Sequence, residues 1–132
     1  MVKPLEYLLD TDHTIDMVNN EGGLQQAIEH IGPDRFAISE ITLAEMCVRL
    51  SKTRLEKYEK QIFFLEKYFL ILPFMAHREY GAIRAQLEKK GTRLDDMDLL
   101  IAATALHEGL VLLTGNTKHF SRIKGLESMD MR

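Results

Sequence analysis

The apolar run Tyr7-Leu8-Leu9 stops abruptly at Asp10-Thr11-Asp12, and a helix-like pattern follows at once. A short apolar run with a polar boundary is the pattern of a buried strand. Here it delivers a carboxylate to its C-terminal end. In open α/β sheets, ligand sites lie in the crevice beyond the carboxyl ends of the strands. The stretch therefore predicts both a sheet and the edge of that sheet at which chemistry is to be sought.

The remaining signals alternate in kind. Leu5–Leu9 reads as a first strand, apolar apart from Glu6, and Thr14–Asn20 as a short helix ended by Asn19-Asn20-Glu21-Gly22-Gly23. Leu24–Ile31 is a second helix, stopped by Gly32-Pro33, and Phe36–Ile38 a second strand. The spacing of Ile41, Ala44, Cys47 and Val48 predicts a helix over Ile41–Leu50 with an apolar stripe. Thr53–Lys67 is a charged helix carrying Tyr58, Ile62 and Leu65 on one side, as core or as a contact surface. Tyr68–Leu72 is a third strand, and His77–Lys90 a helix with Tyr80, Ile83 and Leu87 inward. Asp95–His107 is the clearest helix, with acids in its first turn and Gly109 just past its end. Leu110–Leu113 is a fourth strand, Gly115-Asn116 a turn, and Leu126–Met129 a short fifth strand. Strands alternating with helices call for a parallel sheet covered on both faces. The expected fold class is α/β, a three-layer α/β/α domain with a mostly parallel sheet of four to five strands, the whole of 1–132 forming one unit.

Composition narrows the setting. Hydrophobic residues make up 45% and charged residues 28%, which is globular, and no run reaches the roughly 18 apolar residues of a membrane span. The opening Met1-Val-Lys-Pro-Leu-Glu6 lacks the h-region of a signal peptide. One cysteine, Cys47, excludes an internal disulfide, and a cytoplasmic location is the natural expectation. A net charge of −3 argues against binding nucleic acid by bulk charge alone, although clustered acids would mask a basic rim.

Each acid has an ordinary explanation when taken singly. Asp10 after a strand can cap the next helix, and Asp12 and Asp16 can be helix-start or surface acids. Thr42-Leu-Ala-Glu45 fits a capping box, in which Glu45 bonds back to Thr42. Asp95, Asp96 and Asp98 all favour a helix N-terminus, and Asn116 is a common turn residue. Asp98 stands apart, because Ile101, Ala102, Ala105 and Leu106 place it on the buried face of its helix. A carboxylate there is costly without a partner. Asp10 and Asn116 end strands, whereas Glu45 and Asp98 begin helices that leave strand ends, so a parallel sheet brings all four to one edge. Like charges gathered there require a cation. Oxygen donors without clustered histidine or cysteine favour Mg²⁺ or Mn²⁺.

Four segments, in order, carry a resemblance: Leu8-Leu-Asp10-Thr-Asp12; Ser39-Glu-Ile-Thr-Leu-Ala-Glu45; Gly91 followed by Asp96-Met-Asp98-Leu-Leu-Ile-Ala-Ala103; and Leu113-Thr-Gly-Asn116-Thr-Lys-His-Phe120. They resemble PIN-domain ribonucleases, and in detail the VapC toxins of toxin–antitoxin pairs. Ser121-Arg-Ile-Lys-Gly-Leu126 is similar to that family's C-terminal region.

The resemblance implies an endoribonuclease that uses Mg²⁺ or Mn²⁺, a small cognate antitoxin, a homodimer and an RNA substrate. Asp10, Glu45 and Asp98 fall on the family's three main acidic positions. Asn116 stands where relatives carry Asp or Asn, His119 where close relatives often have Glu or Asp, and Asp12 where Asn is commoner. Asp96 is an auxiliary acid. The expected chemistry is hydrolysis by metal-activated water, with Asp10 and Asp98 as principal ligands, Glu45 or Asp96 orienting the water, and Asn116 steering a phosphate. Arg93, Lys118, Arg122 and Lys124, with Arg49 and Lys52 behind Glu45, are the candidate RNA contacts. Two alternatives remain at this point. One is a haloacid-dehalogenase-like phosphohydrolase with Asp10 as nucleophile, and the other is an inactive interaction module whose acids merely cap helices.

Overall fold

The structure is a computed structural model that describes residues 4–132, so the first three residues of the opening stretch lie outside it. In chain order the elements are β1 (Tyr7–Leu9), α1 (Thr11–Val18), α2 (Leu24–Ile31), a 3-10 turn (Pro33–Arg35), β2 (Phe36–Ser39), α3 (Glu40–Thr53) and α4 (Glu56–Tyr68). They continue with β3 (Leu70–Leu72), α5 (His77–Lys89), α6 (Asp96–Glu108), β4 (Val111–Leu113), α7 (Thr117–Phe120) and β5 (Ser128–Met129). The strands lie in the order β3-β2-β1-β4-β5, and every pair is parallel.

β1 is the central strand. Leu8 faces Ala37 of β2 and Leu112 of β4, while Leu9 faces Ile38 and Leu113. Alternation along the strand separates two cores. Leu8, Ala37 and Leu112 pack with Ile83 and Leu87 of α5 and with Leu99 to Ala105 of α6. Leu9, Ile38 and Leu113 pack with Met17, Leu24, Ile28, Met46, Ile62 and Leu65 from α1 to α4. This is the expected three-layer arrangement. Leu8 and Leu9 are both wholly buried, so truncating either to alanine is expected to cost about 2–5 kcal/mol. No helix among the described residues is long and apolar enough to cross a membrane.

The third strand begins at Leu70, because Tyr68 ends α4, and two further departures from expectation bear on the site. The first helix starts at Thr11 rather than Thr14, because Asp10 itself caps it. On α3 the stripe of Ala44, Cys47 and Val48 is exposed, with Ile41 only partly covered. The face turned to the sheet is that of Thr42 and Met46. The helix leaves β2 directly at Ser39, which rotates it so that positions 42 and 46 point inward. On α4, Ile62 and Leu65 are core, whereas Phe63, Phe64 and Tyr68 are exposed. The tiny helix α7 and the 3-10 turn have no counterpart in the sequence reading, since both are too short for a periodic signal.

Candidate active site

The carboxyl end of β1 does two jobs at one residue. Asp10 Oδ1 accepts the Thr11 N–H at 2.8 Å, as a helix cap does, and Oδ2 accepts the Thr114 hydroxyl at 2.7 Å. Thr114 is there because Leu9 pairs with Leu113 in register. The main-chain carbonyl of Asp10 takes both the N–H and the hydroxyl of Thr14, each at 2.9 Å. Asp10 is therefore buried and held on every side. Burial pushes its carboxyl pKa up, with the charges of Asp12 and Glu45 adding to it, against the hydrogen bonds from Thr114 and Thr11.

Glu45 reaches the same place from β2. The cap of α3 is Ser39, whose hydroxyl accepts the Thr42 N–H at 3.2 Å. The predicted capping box is thus corrected: Thr42 lies in the first turn rather than at the cap, and Glu45 Oε1 instead accepts the Thr11 hydroxyl at 2.8 Å. Thr11 has one hydroxyl proton and gives it to Glu45. The 3.0 Å contact between the Thr11 and Thr42 hydroxyls is then donated by Thr42. A chain of two threonines aims Glu45 beside Asp10.

Asp98 completes the set from the first turn of α6. It is half-buried, on the side of Ile101, Ala102 and Ala105, which are fully buried. Burial first, and then the charges of Asp10, Asp95, Glu45 and Asp12, push its pKa up to about 6. Asp10, Glu45 and Asp98 thus feel one another across the mouth of the sheet.

Among the described residues, no three His, Cys, Asp or Glu side chains are drawn together into a ready-made cage. The donor chemistry nonetheless fits a hard divalent ion. All three acids offer oxygen, and each engaged oxygen of Asp10 and Glu45 retains a lone pair.

The other expected residues divide. Asp96 is exposed and accepts from Arg84 Nη1 at 3.1 Å, so it serves an ion pair between α5 and α6. Asp12 has both oxygens committed: Oδ2 to the Gly115 N–H at 2.7 Å, and Oδ1 to the His13 N–H at 2.6 Å. Burial opposes its charge, but the bonds from His13 and Gly115 prevail and hold its pKa below the ordinary value. Asn116 is exposed beside Thr114 and opens α7 with its carbonyl. Lys118, His119, Arg122 and Lys124 are exposed on and after that helix. Arg93 lines a cleft of about 390 Å³ at the start of α6 with Arg84, Asp95 and Asp96. Arg49 stacks over Tyr58 at 4.2 Å and donates to Gln61, which ties α3 to α4, while Lys52 is exposed.

Sequence reasoning overlooked Thr11 and Thr114, which orient the acids, together with His13 and Arg132, and gave Thr42 the cap rather than its contact with Thr11. A threonine sandwiched between two aspartates, or just before Gly-Asn at a strand end, is the signal that could have flagged Thr11 and Thr114.

Comparison with known proteins places the fold in a family. A family model described as the PIN domain matches residues 7–126. The chain is 34% identical over 126 residues to Ribonuclease VapC2 of Rickettsia felis, covering 91% of this chain and 93% of that protein. It is 30% identical over 131 residues to the tRNA(fMet)-specific endonuclease VapC of Salmonella typhimurium, covering 96% and 98%. Among solved structures, VapBC2 from Rickettsia felis bound to a DNA fragment from its promoter has a similar chain, with a TM-score of 0.89 at 29% identity over 97% of this chain and 100% of that one. The haloacid-dehalogenase alternative is left without a basis. The chain belongs to the PIN-domain family and stands among its VapC ribonucleases.

Proposed function

We propose that this protein is the endoribonuclease toxin of a toxin–antitoxin pair, and that Asp10, Glu45 and Asp98 hold a divalent ion, Mg²⁺ or Mn²⁺, against a phosphate of its RNA substrate. The observation that carries the site assignment is the placement of three carboxylates from β1, α3 and α6 at one sheet edge, near enough that the charges of Asp10 and Glu45 help raise the proton affinity of Asp98. When bound, such a metal lowers the pKa of a water and stabilises charge on phosphate oxygens in an in-line displacement. Thr114 and the Thr42–Thr11 chain fix the aim of Asp10 and Glu45, so little reorganisation remains at the moment of reaction. With Asp96 paired to Arg84, Glu45 is the acid left to orient the attacking water. Asn116, exposed at the turn, is placed to contact a phosphate oxygen. Lys118, Arg122 and Lys124, exposed on and after α7, and Arg93, before α6, supply positive charge that positions a strand without reading its sequence. Attack by water leaves a 5′-phosphate and a 3′-hydroxyl.

A cognate antitoxin is the expected partner, since several structural neighbours are VapBC toxin–antitoxin complexes. Its seat, on our reading, is the groove of about 380 Å³ where Phe64 and Tyr68 face Met17 and Ile28. The exposed Val48, Leu55 and Met75 offer apolar surface to a second copy in a homodimer. A cytoplasmic setting, where RNA is abundant, completes the reading.

The test uses purified protein and two end-labelled RNAs, a mixed-sequence single strand and tRNA(fMet), the latter because the Salmonella relative is named for it. Each is incubated with Mg²⁺, with Mn²⁺ and with EDTA. Cleavage that needs metal and is absent from Asp10→Ala and Asp98→Ala supports the reading. Metal-independent cleavage, or cleavage that persists in both variants, overturns it.

A further inference from the structure

Asp12 lies two residues from Asp10, yet both of its side-chain oxygens are engaged in a second network. We propose that Asp12 is a positioning residue rather than a metal ligand, part of a latch in which His13 and Arg132 hold it so that it holds the turn carrying Thr114 and Asn116. The proposal deepens the nuclease reading and rests on it for the catalytic consequence alone.

The latch can be followed atom by atom. His13 is wholly buried, and its Nε2 lies 3.1 Å from the Met131 N–H. A backbone N–H can only donate, so Nε2 accepts and the ring proton sits on Nδ1. That nitrogen lies 3.1 Å from Asp12 Oδ1. Asp130 Oδ1 approaches Nε2 at 3.3 Å, but it already accepts the Arg132 N–H at 3.0 Å and Arg132 Nε at 3.2 Å. Arg132 spans the remaining gap, with Nη1 at 2.5 Å from Asp16 Oδ2 and Nη2 at 3.7 Å from Asp12 Oδ2. The tail arrives here because β5 runs beside β4, where Met129 accepts the Thr114 N–H at 3.0 Å.

The output of the latch is Gly115. Its N–H donates to Asp12 Oδ2 at 2.7 Å, and the next N–H, that of Asn116, donates to the Thr114 hydroxyl at 3.1 Å. That hydroxyl is the one that donates to Asp10. Four residues therefore link His13 to a metal-site carboxylate. A Cβ at residue 115 would displace the Arg132 guanidinium and come within 2.7 Å of Asp12 Oδ2, so a side chain there disturbs the latch itself. The exposed ion pairs of Arg132 contribute little singly. The buried imidazole, with both nitrogens occupied, makes the arrangement specific.

The experiment has three readouts on Arg132→Gln, His13→Gln, Asp12→Asn and Asp12→Ala. They are the Gly115 amide resonance in a ¹⁵N-correlation spectrum, Mn²⁺ affinity by calorimetry, and kcat and KM on single-stranded RNA. The Gly115 proton of the wild type is expected far downfield and moves upfield in Arg132→Gln and His13→Gln, furthest in Asp12→Ala. Asp12→Asn keeps its Mn²⁺ affinity and, with one carbonyl oxygen retained, recovers much of the activity lost in Asp12→Ala. In Arg132→Gln, kcat falls about tenfold with KM unchanged, the mark of a misplaced site rather than of lost binding. A drop in Mn²⁺ affinity in Asp12→Asn would make Asp12 a ligand and end the proposal. So would a Gly115 resonance that stays put in both latch variants. If the wild type cleaves no RNA, the nuclease reading fails, and the amide shifts still decide the latch.

Discussion

Asp10 and Asp98 are both acids of the proposed site, but their surroundings are opposite. At the end of β1, Asp10 is 3% exposed and each side-chain oxygen has a hydrogen-bond donor. At the start of α6, Asp98 sits half-buried, and what acts on it is burial and four other carboxylates. The first acid is built into the fold, and the second is imposed on it. The contrast shows how a stable domain can carry a reactive charge cluster: one ligand doubles as structure, and the strain of like charge is concentrated on the other.

The largest effect expected from this contrast is on chemistry. Asp98→Asn lowers RNA cleavage by roughly a hundredfold or more, the scale of losing a preorganised charged group. In the same variant the metal-free protein becomes more stable at pH 7.5, by about 1–2 kcal/mol after allowing for solvent screening. Scanning fluorimetry would read this as a melting temperature several degrees higher. A lower one would remove the contrast altogether.

Asp10→Ala should lose activity to a similar degree and lose stability too. The missing cap contributes about 1 kcal/mol, and the Thr114 hydroxyl, left buried without its acceptor, about 1–3 kcal/mol more. A variant that melts like the wild type would mean that Asp10 is not structural.

Titration sharpens the same point. The folded-state pKa of Asp98, about 6, is above the ordinary 3.8 of an aspartate, so the folded protein binds the extra proton more readily. Its charge therefore destabilises the metal-free protein above about pH 6, and the penalty is relieved as pH falls from there toward 3.8. Melting temperature without metal should rise between pH 7.5 and 5.5, and Asp98→Asn should remove most of that rise.

Thr11→Val cuts the hydroxyl that aims Glu45 and should lower kcat several-fold at a cost of about 1 kcal/mol. Asp96→Asn is expected to change least. Its pair with Arg84 is exposed, and cleavage should stay near wild type. A large loss there would restore Asp96 to the site.

Much of this was legible beforehand because it follows from periodicity and topology. The run to Leu9, the Leu-Leu-Ile-Ala-Ala body behind Asp98, and the alternation of elements place three acids at one sheet edge whatever the details. What was not legible depends on rotation and on residues far apart in the chain. Ala44 and Val48 have helical spacing, but spacing does not say which side meets the sheet. The departure of α3 at Ser39 decides that. Thr114 beneath Asp10 and Met131 against His13 are partnerships across more than a hundred positions, between residue types with many ordinary uses. No local pattern announces them.

The sheet order has a consequence for how the protein comes into being on the ribosome. β1 is made first, yet one of its two neighbours, β4, begins only at Val111, and the hydroxyl that satisfies Asp10 comes three residues later. Until that point is synthesised, the central strand lacks a flank and Oδ2 of its aspartate lacks its donor. A product cut short before β4 therefore lacks both a flank of the central strand and the hydroxyl that Asp10 Oδ2 accepts.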